Sequence, residues 1–202
     1  MGQRLARRQQ AFAQVVQIPP ILESVTIHVE ATSKDTAMHQ LTHAHEGDVV
    51  VFNIGMTVHK PHRPDLWGPV FTAMPAMLAE LGRNRAAAER GEAEDLGFLG
   101  GWTLMGRRGP WVVQYWRSTE HLYRYASSAD ARHLPAWKRF NAVARTHPGA
   151  VGIWHETFAV PASGIETLYG NGAVIGLGQA TGTIEATRRG RGARERLSST
   201  TS

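Results

Sequence analysis

Residues 147–171 read HPGAVGIWHETFAVPASGIETLYGN, and the fold turns on how the middle of that stretch is read. Val151 to Val160 is an apolar run rich in β-branched and aromatic residues, the pattern of a strand. His155 and Glu156 interrupt it. Burying either group costs roughly several kcal/mol unless it is paired or hydrogen-bonded. Alternation puts Ile153, His155 and Thr157 on one face and Trp154, Glu156 and Phe158 on the other. The two polar residues are therefore not a simple pair, and one of them is expected to face an interior cavity.

Working back from this strand, Trp137, Phe140 and Ala144 form one stripe of a helix with Pro135 near its first position, ending before His147, Pro148 and Gly149. Ser118 is a suitable N-cap, with Glu120 in the first turn, for a helix to about Ser127. Leu96 to Met105 and Trp111 to Trp116 read as two strands joined by a turn over Gly106 to Pro110. The strongest helical periodicity runs from Leu66 through Leu81, with Pro69 and Pro75 inside it, so a late start or a kink near Pro75 is expected. Residues 84–95 are polar and Ala-rich, a solvated helix end or loop. Val49 to Met56 is a near-continuous apolar run, the pattern of a strand buried on both faces.

The order strand, helix, strand, strand, helices, strand is a βαββαβ unit. It predicts an α+β, ferredoxin-like domain over residues 48–180: an antiparallel sheet with helices on one face. No spare helix remains for the other face, so a second copy of the sheet is the natural cover. A homodimeric α/β barrel is expected, with a pocket between each sheet and its helices. Residues 1–47 read as a weakly ordered extension, with a short amphipathic helix over 2–16 and a possible strand from Ser24 to Val29. Residues 181–202, together with Gly176 to Gly182, read as a disordered basic tail.

Totals exclude several classes. With 42% hydrophobic and 19% charged residues, the composition is that of a globular domain rather than a disordered chain. The absence of cysteine removes disulfides and thiolate chemistry and fits a cytoplasmic setting. No run is apolar enough to cross a membrane. The net charge of +5 sits in the tails, +3 over residues 1–20 and +3 over 181–202, leaving the middle near −1. Nucleic-acid binding is not expected of such a footprint. The chain has no GxGxxG, P-loop, GxSxG or HExxH motif.

The stretches VVVFNIGMTVHKP (49–61), FTAMPAMLAEL (71–81), VVQYWRSTEHLYRYA (112–126), HLPAWKRFN (133–141), VGIWHETFAV (151–160) and ETLYGN (166–171) resemble the DUF4188 family, also called monooxygenase af470-like. The resemblance covers about residues 48–180. It implies a dimeric α+β barrel related to the antibiotic-biosynthesis monooxygenases, and with it oxygenase chemistry on an organic substrate.

Among candidate site residues, His155 is the expected general base, since an ordinary imidazole titrates at roughly pH 6.5. It could equally be a buried histidine satisfied by backbone. Tyr169 and Asn141 are further catalytic candidates, as proton donor and as orienting amide; their plainer readings are a turn at Tyr169–Gly172 and a surface position for Asn141. His133, Trp137 and Asn141 recur every four residues and would line one helix face. Gln114 and Trp116 share a strand face, with Trp102 and Trp111 as further pocket wall, though such residues are more often core. The substrate-binding set is thus Gln114, Trp116, Trp102, Trp137 and His133. HxxxHxH at His39, His43 and His45 is a weak metal pattern, and no metal site is expected.

The first reading is an enzyme of the cofactor-independent monooxygenase type. An alternative is a haem enzyme like the aldoxime dehydratases, related in architecture, with His155 or His133 as axial ligand. The third is a dimer that binds a small molecule without turning it over.

Overall fold

The computed structural model describes residues 39–128 and 133–198. The expected N-terminal helix and the strand at Ser24–Val29 lie outside the described residues. Among the described residues seven strands and six α-helices run in chain order: β1 (Gln40–His43), β2 (Val49–Val58), α1 (Pro64–Phe71), α2 (Ala73–Glu89), β3 (Phe98–Gly106), β4 (Gly109–Trp116), α3 (Thr119–Ser127), α4 (His133–Thr146), β5 (Val151–Val160), β6 (Tyr169–Gly170), α5 (Leu177–Thr181), β7 (Thr183–Glu185) and α6 (Ala193–Ser198).

The expected mixed α and β class holds, with antiparallel sheets. The main sheet has the order β3-β4-β2-β5, and every pairing in it is antiparallel. The apolar run of β2 becomes a central strand because both its neighbours and both its faces are covered. Val50 packs with Leu81, Phe98, Trp116 and Leu122 under the long helices, while Val49 packs with Leu99, Ile165 and Leu177 on the other face, so that α5, in the stretch expected to be disordered, covers part of a face for which no helix was expected. A second core on the helix side joins Met56 and Val151 to Leu66 and Val70 of α1.

The long helical period splits in two at Thr72. Pro75 has no N–H to give to the carbonyl of Phe71, and its ring crowds that carbonyl, so α1 ends at Phe71, ahead of the proline rather than at it. The hairpin turn tightens to Arg107 and Arg108, which pairs Gly106 with Gly109. Ser118 caps α3 as expected, its hydroxyl accepting from the His121 N–H at 3.4 Å.

Two boundaries move. Strand β1 falls in the stretch expected to be weakly ordered, and β7 in the stretch expected to be disordered; they pair with each other and β1 also pairs with β6, forming a small sheet of order β6-β1-β7. The basic end is thus folded as far as α6. Arg196 is buried there on Glu166 at 2.6 Å, and Arg189 donates to the His45 carbonyl at 2.7 Å. These are long-range partners, which local sequence pattern does not reveal. No helix among the described residues is long and apolar enough to cross a membrane.

Candidate functional site

Register assembles the site on the helix side of the main sheet. Three residue rows run across the strands. Gly101, Gln114, Phe52 and Thr157 form one, and Thr103, Val112, Ile54 and His155 form the next. Phe98, Trp116, Val50 and Ala159 form the third, toward the buried end. Over these rows lie Val70 of α1, Met74, Met77 and Leu81 of α2, and Leu122 and Tyr125 of α3. Between floor and roof is a cavity of about 350 Å³. That size lies within the range of small-molecule sites.

His155 lines this cavity, and Glu156, which alternation sets on the opposite face, does not. The His155 ring is tilted against Phe52 with centroids 5.7 Å apart. It is not buried, however: β5 is an edge strand, and His155 and Glu156 are both exposed. The apolar strand reading implied enclosure, but an edge has a partner on one side only. Gln114 and Trp116 also line the cavity. Both are buried, at 6% and 0% exposure, and the indole N–H of Trp116 donates to Gln114 Oε1 at 3.0 Å. Trp116 is as much core as wall, with Phe98 at 5.3 Å and Tyr125 at 5.7 Å.

The other expected site residues are elsewhere. Trp102 faces the opposite side of the sheet, where it packs on Tyr115 at 5.4 Å, because the two-residue turn sets it opposite Val113 rather than Gln114. Trp111 also faces that side and meets Trp154 at 6.3 Å. The three tryptophans therefore do not form one wall. Tyr169 lies in the small sheet, buried, its hydroxyl accepting from the Gly178 N–H at 2.7 Å. It is a structural phenol rather than one at the cavity mouth. Burial, with Tyr169 beside it, pushes the Tyr115 phenol up. Asn171 takes the left-handed conformation at φ 52°, the turn role open to it from its sequence. Asn141 is half-buried on α4 and is not among the described residues lining the cavity. The side chains of His133 and Trp137 lie outside the described residues.

Sequence reasoning missed Phe52, Ile54 and Thr157 on the floor and Met74 and Met77 in the roof. Their signal was present only as continuous apolar character, which does not say which face meets a cavity. Among the described residues no group of three or more His, Asp or Glu side chains could hold a metal. His43 is buried and hydrogen-bonded to Thr167 at 3.0 Å, and His39 pairs with Glu185 at 3.3 Å. The haem alternative gains no support: Phe52 lies against the His155 ring.

Comparison with known proteins adds the family. The chain is 29% identical over 166 residues to monooxygenase af470 of Aspergillus fumigatus, a match covering 76% of this chain and 54% of that protein. It thus spans about half the length of that curated relative. Among solved structures it is similar to SnoaB, a cofactor-independent oxygenase from Streptomyces nogalater, at 19% identity and a TM-score of 0.36, covering 55% of this chain and 91% of that one. It is also similar to an aldoxime dehydratase bound to butyraldoxime, at 15% identity and a TM-score of 0.49, covering 66% and 37%. At these values neither structural likeness assigns an activity. The sequence profile of the monooxygenase af470-like family matches residues 49–177, well over half of the chain, and the chain belongs to that family.

Proposed function

We propose that this protein is a monooxygenase acting, without a bound cofactor, on a small and largely apolar, electron-rich organic molecule held between the main sheet and its helices. Family membership supports the reaction class. The observation that carries the rest is the cavity itself: about 350 Å³, walled mainly by apolar side chains, with the imidazole of His155 at its open edge. Such a space binds an organic molecule by burying its apolar surface, and the few polar groups orient it.

In this reading His155 takes a proton from an acidic CH2 group of the substrate. The carbanion transfers its electrons to dioxygen and a C–O bond forms. The imidazolium returns the proton, giving a hydroperoxide. Loss of the second C–H proton breaks the O–O bond and releases water, leaving C=O. One oxygen atom enters the product and one leaves as water, so no outside reductant is needed. Turnover under ¹⁸O₂ should label product carbonyl and water equally. A substrate oxidised with no ¹⁸O in the product would overturn the proposal.

We also propose that the main sheet and its helices make a ferredoxin-like unit that pairs with a second copy. Across the side opposite these helices, beyond the part that Leu177 of α5 covers, runs the row Leu104, Trp111, Gly55 and Trp154. Leu104, Trp154 and Phe158 of that face are 38%, 37% and 49% exposed. A contiguous apolar strip of this kind supports an interface, and a closed pair is the commonest way to cover one.

A further inference from the structure

We propose that one end of the main sheet, built around the turn between β3 and β4, is a docking face for an anionic lipid membrane surface. Arg107 and Arg108 meet the headgroups there, and Met105 enters the acyl boundary.

The face is held together by main-chain bonds. Arg107 and Arg108 are the exposed residues of the turn, set between the paired Gly106 and Gly109. The Arg108 carbonyl accepts from the Val58 N–H at 2.7 Å, which fixes the turn against the last residue of β2. The chain leaving β2 carries exposed His59 and half-buried Lys60. The His59 N–H donates to the Ala150 carbonyl at 3.0 Å, so the chain that follows α4 comes to the same place. Arg145 is exposed in the last turn of that helix. Arg63 follows Lys60 and is neutralised by Asp65, which it holds at 2.9 and 2.6 Å. Lys60, Arg107, Arg108 and Arg145 remain, and among the described residues none of these four has a carboxylate partner.

These four positive charges stand out because residues 21–180 are near −1 in total, so the rest of that stretch carries about −5. A chain with its charge separated in this way turns its basic end toward an anionic sheet before touching it. A nucleic acid would match the charge equally well, but Met105 favours lipid. It is 70% exposed and lies two residues before Arg107. An apolar side chain beside two arginines gains little from a sugar–phosphate backbone and gains by leaving water for the acyl boundary. Met105 pairs with Pro110 and so points away from the face that carries Leu104, the strip proposed to meet a second copy. Pairing therefore leaves it free.

The face also has a use. A smaller apolar hollow of about 60 Å³ adjoins the cavity, sharing Ile54, Val70, Met74 and Ile153 with it, and reaches Pro110, the partner of Met105. An apolar molecule leaving a bilayer at Met105 meets apolar side chains from there to the cavity. That use rests on the small-molecule reading of the cavity, whereas the docking face does not.

The test is flotation of the full chain with vesicles of phosphatidylcholine alone or with about 30% phosphatidylserine, an anionic surface of ordinary strength. The wild type is expected to bind the anionic vesicles at least about tenfold tighter, with binding falling as salt rises from about 50 to about 500 mM. Arg107→Gln with Arg108→Gln should cost about tenfold or more, at roughly fivefold for each basic side chain near the surface. Met105→Ser should cost roughly tenfold and leave the salt dependence unchanged. Arg191→Gln with Arg194→Gln removes as many exposed charges from the folded basic end and should change binding by less than about twofold. No preference for anionic vesicles, or equal losses in the two double variants, would overturn the assignment. Binding indifferent to Met105→Ser, or a DNA duplex held more tightly than the vesicles through the same arginines, would overturn the choice of lipid. Vesicle binding by a chain that consumes no oxygen with any substrate would overturn the oxygenase reading alone. An active oxygenase that ignores anionic vesicles would overturn this inference alone.

Discussion

Acidification should loosen the fold through one buried imidazole, that of His43. Its residue is 1% exposed. Its N–H backbone group and its Nδ1 both meet Thr167 Oγ1, at 2.9 and 3.0 Å, while Nε2 has no hydrogen-bond partner among the described residues. Burial, then the guanidinium of Arg189 and the imidazole of His45, lower its pKa from 6.5 to about 4, against an opposing contribution from Glu166. The folded state therefore prefers the neutral ring. Between these values the unfolded chain binds a proton that the folded chain refuses, so stability is full above pH 6.5 and is lost as pH falls toward 4. At ~1.4 kcal/mol per pH unit the whole effect is about 3 kcal/mol, of which about 2 kcal/mol is gone by pH 5. Urea unfolding of the wild type and of His43→Gln at pH 7.5 and 5 isolates this group, since the remaining histidines are common to both. The variant should show a pH-dependent loss smaller by about 2 kcal/mol. Equal losses in the two proteins would refute the reasoning.

Three further outcomes follow from packing. Glu166→Ala removes the Glu166 carboxylate from the buried Arg196 guanidinium, whose side chain is 6% exposed, and should cost about 3 kcal/mol in urea unfolding; a cost below about 1 kcal/mol would mean that the other partners of Arg196 suffice. Gly55→Ala would place a methyl inside the Trp154 indole, because only a glycine leaves room for that ring to lie over β2. It should change tryptophan emission and loosen self-association, and unchanged emission would show that Trp154 sits elsewhere. Trp154→Arg with Phe158→Asp should turn a dimer into a monomer in sedimentation, with unfolding of the monomer unit little changed at such exposed positions; a wild-type chain already monomeric at high concentration would remove the pairing proposal.

Much of the main sheet and its helices was legible because each element carries a local signal. Alternation in β5, the apolar run of β2, the Ser118 cap and the helical period from Leu66 onward all report on neighbours a few residues away. The small sheet was illegible for the opposite reason. Leu41 lies opposite Glu185, and Thr42 and His43 are buried by Thr167, partners far off in the chain. The same division runs through the site. Alternation put His155 and Glu156 on opposite faces, and Gln114 and Trp116 together, but it could not say which face would meet the cavity or that β5 would be an edge. Nor could it set the parity of β3 against β4, which sent Trp102 away from Gln114. Tyr169 was read as a pocket residue because nothing near it in sequence announces Gly178 as its partner.

The central claim is that His155 begins an oxygenation needing no bound cofactor. The measurement that meets it most directly is oxygen consumption by the purified chain, with no cofactor or reductant added, across a panel of small electron-rich organic molecules with an acidic CH2 group. Wild type and His155→Ala are compared, their folding matched by circular dichroism. The account predicts substrate-dependent uptake by the wild type and a loss of 10²-fold or more, on the order of a general base's contribution, in the variant. Equal uptake by the two proteins would contradict it.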